Sequence, residues 1–304
     1  MKILITGVAG FIGSKVAEKF LKNDHEVFGV DDLSQGKIEN IPSKIKFIKY
    51  DLSDEKIINI LPKECDYILH IAGQSSGEIS FDNPKNDLEK NTLSTLNLIK
   101  YGINKKVKKF LYASSMSVYG EVEDHAVSET NVTNPISCYG ISKLTSERYL
   151  ELFSDKLSYL NLRMFNVYGP GQDLKNLRQG MVSIFLAQAL KKNKILVKGS
   201  VERFRDFIFV NDVVEIWYNL TFNKECKNLN INVASGQRVT VKELLKKIID
   251  FYPKTEFYSE GNTPGDQSGI YASIKLLKSY YDVSSLYPLE KGLKQFFKWA
   301  EKKK

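Results

Sequence analysis

The chain has 304 residues, 44 Lys+Arg against 36 Asp+Glu for a formal net charge of +8, with 42% hydrophobic and 26% charged residues. These are ordinary globular values, so a disordered or fibrous chain is excluded, and no apolar run approaches the roughly 20 residues of a membrane span. Cys65, Cys138 and Cys226 are odd in number and far apart, which argues against a disulfide framework or a metal site and points to the reducing cytoplasm.

Lysine supplies 38 of the 44 positive charges, spread along the chain, and arginine six. Nucleic-acid readers concentrate charge in a stripe and use arginine on base edges, so the excess reads as a solvated surface.

Taken in chain order, the first 165 residues alternate short apolar runs with helical periodicity. Strands are expected at 2–6, 26–30, 46–50, 67–70, 110–114 and 159–163, and helices at 11–21, 88–103 and 139–153. Strand-helix alternation of this kind implies a Rossmann-type α/β fold, a doubly wound parallel sheet. Beyond a Gly169-Pro170-Gly171 break come a helix near 181–191, a strand near 195–197 and another over 205–210. A helix capped by Asn211 or Asp212 follows, then a strand at 228–233. Thr240 with Glu243 forms a capping-box pattern before a helix over 240–251, and an amphipathic helix over 288–304 closes the chain. The organisation is therefore a nucleotide-binding domain over 1–168 with return elements near 206–234, and a smaller mixed α/β lobe over 169–304.

The first strand runs into Thr6-Gly7-Val8-Ala9-Gly10-Phe11-Ile12-Gly13. Gly7, Gly10 and Gly13 allow a tight turn and close backbone approach to a pyrophosphate, and Phe11 and Ile12 open the helix whose N-terminus faces it. The second strand ends at Asp31-Asp32, where an acid would take both ribose hydroxyls and repel a 2′-phosphate, so NAD is favoured over NADP. Asp51-Leu52, ending the third strand, would meet the adenine edge or simply cap the strand.

Tyr139 and Lys143 lie four apart on one helix face. A neighbouring ammonium is expected to lower the phenol toward working pH and make it a general base. Upstream, Ser114-Ser115-Met116-Ser117 ends a strand and offers a hydroxyl to share the proton.

With these residues in place the chain resembles the extended short-chain dehydrogenase/reductases, specifically the NAD-dependent nucleotide-sugar epimerases and dehydratases. The resemblance runs through TGVAGFIG, VDDLSQG, YDL, HIAGQ, the Asn91 helix, SSMSVYG, YGISK, RMFNVYGPGQ and RDFIFVNDV. It implies Tyr139 as base, Lys143 as its electrostatic partner and nicotinamide-ribose ligand, and Ser115 as the third hydroxyl. Ala72, Gly73 and Gln74 would flank the nicotinamide, and Asn91 would be either the polar face of its helix or a loop-fixing hydrogen bond near the cofactor. Ser115, Ser117, Asn166, Arg205 and Asp266 would contact the nucleotide-sugar substrate, with the diphosphate near Asn166 and Arg205. A two-fold homodimer through the helices at 88–103 and 139–153 is the expected assembly.

The resemblance also narrows the reaction. Dehydratases of this family carry an Asp-Glu pair where Met116 and Ser117 stand, and the C3/C5 epimerases and decarboxylases carry a cysteine or a glutamate in this segment. None is present, which leaves C4 epimerisation through a transient 4-keto sugar, with retained NAD. A cofactor-consuming 4-dehydrogenase or reductase is the enzymatic alternative, and a sugar-nucleotide or NAD sensor the non-enzymatic one. Thr263 replaces the family arginine of the segment ending in Gly265-Asp266, so the diphosphate would lean on Arg205 with Arg203 or Arg178 compensating. Gly269 or Ile270 falls where hexose-restricted members carry a tyrosine, which suggests room for an N-acetyl substituent. Gly73-Gln74-Ser75-Ser76-Gly77 matches a nucleophile elbow, but no acid and late histidine follow it, so it reads as a cofactor-flanking loop.

Overall fold

A computed structural model describes residues 1–303. Seven parallel strands form the central sheet: β1 (Lys2–Thr6), β2 (Glu26–Asp31), β3 (Lys46–Lys49), β4 (Tyr67–His70), β5 (Lys109–Ser115), β6 (Tyr159–Met164) and β7 (Leu229–Val233). Their spatial order is β7-β6-β5-β4-β1-β2-β3. The winding reverses between β1 and β4, and in sheets of this kind the crevice at such a switch point is where a ligand binds.

The strands read as continuous apolar runs because both faces are covered. Ile3 and Ile5 join Leu69, Leu111, Leu160 and Leu162 on one face, under α1 (Phe11–Lys22) and a helix at Val210–Phe222. Leu4, Ile68, Phe110 and Tyr112 project from the other, under α2 (Ser94–Lys105) and α3 (Cys138–Leu152). The second lobe has its own core, formed by α4 (Met181–Lys192), α6 (Val241–Phe251) and α7 (Leu289–Glu301), with α5 (Val210–Phe222) lying between them in sequence. Strand β7, late in the chain, returns to the sheet beside β6, in register from Leu229↔Leu160 to Val233↔Met164.

Three expected elements differ. The helix expected over 88–103 is divided into a short helix Pro84–Leu88, a π turn Glu89–Leu93 and α2. The strand expected over 205–210 is interrupted at Asp206. This residue is fully buried and its carboxylate accepts from Ser235 N at 2.8 Å, Gly236 N at 2.9 Å and Ala272 N at 3.2 Å. The helix after it starts at Val210, so Asn211 and Asp212 sit in its first turn rather than at its cap, and Asp212 instead accepts from Tyr287 N at 2.9 Å. The Thr240–Glu243 capping box forms as expected.

The lysine-rich surface also has an exception. Lys108 pairs with Asp66 at 2.8 Å, as a surface charge does, but Lys109 is buried and donates to Leu220 O at 2.9 Å and Asn223 O at 2.6 Å. There it satisfies carbonyls at the C-terminal end of α5, where a cation is favoured. Among the described residues no helix is long and apolar enough to cross a membrane.

Candidate active site

The crevice begins where β1 and β4 end side by side. Thr6 Oγ1 accepts from Ile71 N and Ala72 N, both at 3.1 Å, and meets His70 Nδ1 at 2.8 Å, which clamps the two strand ends together. Gly7 then turns with φ +72°, and a Cβ on Gly13 would lie 2.0 Å from Gly7 O. The turn therefore folds onto the first helical residues of α1 with no space for side chains, as the approach of a pyrophosphate requires.

Of the two acids ending β2, Asp31 faces this turn. It is 7% exposed and accepts from Ala9 N at 3.0 Å and Leu33 N at 2.8 Å, so lone pairs remain for a diol; burial raises its carboxyl above the usual range. Asp32 faces away. Its carboxylate and that of Asp51 both receive Lys90 Nζ, each at 2.7 Å. Lys90 stands in the π turn and was not expected at the site; its position directly before Asn91 was the available signal. Leu52 is buried, and its carbonyl accepts from Asn97 Nδ2 at 2.9 Å.

At the other end of the crevice the structure brings together Ser115, Tyr139 and Lys143. Ser115 ends β5, with Ser117 N donating to its Oγ at 3.1 Å, and Ser137 caps α3 through Gly140 N, which fixes Tyr139 in the first turn. Lys143, one turn on, is 3% exposed. Its Nζ donates to Ala113 O at 2.9 Å and lies 4.9 Å from the Tyr112 ring centre and 5.7 Å from that of Tyr139.

The expected lowering of Tyr139 by Lys143 is not seen. Burial pushes the phenol up to about 12, against the influence of the neighbouring Ser115 hydroxyl, which favours the phenolate. Burial also pulls Lys143 down to about 8, opposed by Asp87 and Glu147. For both groups desolvation outweighs the influences that favour the charged form.

The nicotinamide end fits the expected dinucleotide by one further observation. Asn91 Oδ1 is buried without a partner, and a Cβ on Gly73 would lie 2.3 Å from it and 3.3 Å from Lys143 Nζ. Gly73 and Ala72 thus leave a backbone-lined slot beside Lys143. Gln74 points the other way, into Asp87, with Nε2 to Oδ1 at 2.8 Å. Asp87 was not expected at the site. Ser75 and Ser76 serve the loop: Ser76 caps a short helix through Ile79 N, and Ser75 Oγ accepts from Gln179. His70 is sealed between Thr6 and Thr95, a structural role at the strand ends.

On the substrate side, Asn166 donates to Asp206 O at 2.9 Å and reaches Met116 Sδ at 3.5 Å, which places it beside the strand end carrying Ser115 and Ser117. Arg205 is 1% exposed and spends its donors on Phe204 O, Asp266 Oδ1 and Gln267 O. Arg203 pairs with the other oxygen of Asp266 and lines an open cavity of about 440 Å³ that also holds Thr263. Arg178 is committed to Glu78 and to Asp82 at 2.6 Å, so of the two compensating arginines only Arg203 stands by Arg205. The expected space at Gly269 is filled: a Cβ there would come within 2.2 Å of the Phe204 ring, and Ile270 is packed among Val118, Tyr119 and Phe165. No group of three metal-ligating side chains occurs among the described residues.

Residues 3–234 match the model of the NAD dependent epimerase/dehydratase family. The chain is 33% identical over 308 residues to a putative UDP-glucose 4-epimerase of Methanocaldococcus jannaschii, covering 98% of each. It is 31% identical to UDP-glucuronic acid decarboxylase 1 of Xenopus tropicalis, covering 99% of this chain and 72% of that one. Among solved structures, UDP-glucose 4-epimerase of Thermotoga maritima with UDP-glucose superposes with a TM-score of 0.93 at 34% identity, covering 100% of this chain and 99% of that one.

Proposed function

The chain belongs to the NAD-dependent epimerase/dehydratase family, and on that premise we propose that it interconverts C4 epimers of a nucleotide-diphosphate sugar, a UDP-hexose or UDP-N-acetylhexosamine. The observation that carries this reading is the end of β5. The Ser115 hydroxyl, whose Oγ donates to Ser117 Oγ at 3.2 Å, neighbours Tyr139 there, while Met116 and Ser117 bring no titrating side chain to act on a 4-keto sugar. Elimination needs such a group; epimerisation needs only a base, a hydride acceptor and space for the sugar to turn over.

Gly7 and Gly13 would admit the pyrophosphate, Asp31 the adenosine ribose, and Lys143 and Asn91 the nicotinamide riboside. When bound, NAD would supply a reversible hydride acceptor for the sugar and a positively charged ring. Tyr139 takes the proton from the C4 hydroxyl, Ser115 passes it a hydrogen bond, and Lys143 opposes the charge left on the phenolate. The same three groups return the proton after the keto sugar has turned, so the reaction is redox-neutral. Arg203, which lines the open cavity beside Thr263, would meet the diphosphate; Arg205, buried behind it, holds Asp266, and Asn166 stands beside the end of β5. Leu88, Leu93, Ile141 and Leu152 are large apolar side chains left exposed along the helices expected to form the homodimer, which supports that assembly.

The test is product NMR on UDP-glucose, UDP-galactose, UDP-N-acetylglucosamine and UDP-glucuronic acid without added NAD. A C4 epimer mixture is expected, and Tyr139→Phe should lower turnover by about 10²–10⁴-fold with NAD still bound. A pentose product from UDP-glucuronic acid would overturn the reading. Stoichiometric accumulation of NADH would instead mark a 4-dehydrogenase.

A further inference from the structure

We propose that Asp87 is a positioning residue of this site, whose buried carboxylate ties together the three segments around Lys143 and carries a negative charge that no salt bridge among the described residues offsets. The proposal rests on the reading of Tyr139 and Lys143 as the proton-handling pair.

Asp87 is 1% exposed and forms no salt bridge among the described residues. Three polar side chains converge on it instead, each from a different segment. Ser142 Oγ, on α3 next to Lys143, donates to Oδ2 at 2.6 Å. Gln74 Nε2, from the loop after β4, donates to Oδ1 at 2.8 Å, and Asn91 Nδ2, from the π turn, at 3.3 Å. The π turn is itself stitched to α3, with Thr92 Oγ1 donating to Ser142 O and Ser146 Oγ to Asn91 O, both at 3.1 Å. Asp87 and Asn91, four apart, lie on one side of this helical stretch, and a Cβ on Gly73 would meet Asn91 Oδ1 at 2.3 Å and Lys143 Nζ at 3.3 Å, which places Asn91 between Asp87 and the lysine's surroundings.

A buried carboxylate held only by neutral donors costs desolvation energy that a purely structural contact could avoid with an amide. Its charge therefore calls for a reason, and Lys143 provides it. The other groups facing Lys143 cannot serve. Glu147, one turn on, is paired with Arg163 Nε at 2.9 Å and Nη2 at 2.7 Å and takes the Ser114 hydroxyl as well. His70 on β4 is neutral between two threonines, and β5 offers the Tyr112 ring and the Ala113 carbonyl. Burial drives Lys143 toward its neutral form, and Asp87 is the largest influence against it; the same charge raises Tyr139.

The test compares Asp87→Asn, which keeps shape and removes charge, with Asp87→Glu, which keeps charge and shifts it. Two readouts are taken on full-length protein. One is the pH dependence of kcat on the NAD-loaded enzyme. The other is the pH dependence of trace acetylation at Lys143, read by mass spectrometry on nucleotide-free protein. In Asp87→Asn the alkaline limb and the Lys143 titration should both move down by about one pH unit or more, with KM little changed. In Asp87→Glu both should stay near wild type while kcat falls. Coincidence of the Asp87→Asn curves with wild type would overturn the proposal. If that variant does not fold, displaced curves in Asp87→Glu would overturn it instead. A wild-type enzyme that turns over no nucleotide sugar would count against the proposed function, while the acetylation readout would still decide the role of Asp87.

Discussion

Gly13→Ala is the sharpest test of how the phosphate turn is built. The new methyl carbon would stand 2.0 Å from Gly7 O and 2.7 Å from Gly7 C, both backbone atoms. Gly7 O already accepts from Gly10 N at 3.0 Å, so relief of the clash has to displace the whole turn rather than one side chain. Overpacking of this kind costs about 1–3 kcal/mol. The displaced amides also lose their aim at the pyrophosphate, for which we expect at least about a tenfold loss of NAD affinity, about 1.4 kcal/mol. Ligand-induced stabilisation separates the two effects. At an NAD concentration of about 100 times the wild-type Kd the gain is about 2.7 kcal/mol, and with tenfold weaker binding about 1.4 kcal/mol. The difference corresponds to an NAD-induced rise in Tm smaller by about 2–4 °C, read by thermal denaturation with and without NAD. A variant whose Tm is lowered but whose NAD-induced rise matches wild type would show that the turn tolerates the methyl group as a binding element, and the reasoning would fail.

His70 is held down to about 3 by burial, against an ordinary value of 6.5. Its contribution is present above pH 6.5 and is lost as pH falls toward 3, because the unfolded chain takes up a proton the fold refuses. That amounts to about 2 kcal/mol between pH 6.5 and 5, so urea midpoints of His70→Gln should change less over this interval than those of wild type. Arg163→Met leaves Glu147 buried beside one hydroxyl and should cost about 3–5 kcal/mol by urea denaturation, much of it recovered in Arg163→Met/Glu147→Met. Gly269→Ala drives a methyl group into the Phe204 ring, whose carbonyl anchors Arg205, so KM for the nucleotide sugar should rise and Phe204→Leu in the same chain should restore it.

The inner strands of the sheet were readable within a residue or so because each is a short run, largely buried and closed by a turn residue, as in Lys2–Thr6 and Tyr67–His70. The phosphate turn was readable because its glycines are required by backbone contacts local to the turn. What escaped was tertiary. Glu89–Leu93 has helical periodicity, and only packing against α3 makes it a π turn. The direction of the Tyr139 shift depends on how much water the fold removes, which no spacing reveals. Phe204 reaches Gly269 across the lobe, so the apparent space existed only in the linear alignment of residues. Asp87 sits four before Asn91, and that spacing on one helical face was the only trace it left.

The late return of β7 has a consequence for how the chain is made. Six strands emerge from the ribosome before residue 165, yet the edge of β6 stays open until residues 229–233 have been synthesised, after α4 and α5. An uncovered parallel edge invites pairing with other chains. The nascent protein therefore spends the synthesis of some sixty residues with an adhesive flank. A stop after residue 168 would make that flank permanent, leaving a fragment that contains the phosphate turn, Ser115, Tyr139 and Lys143 and yet is prone to aggregate.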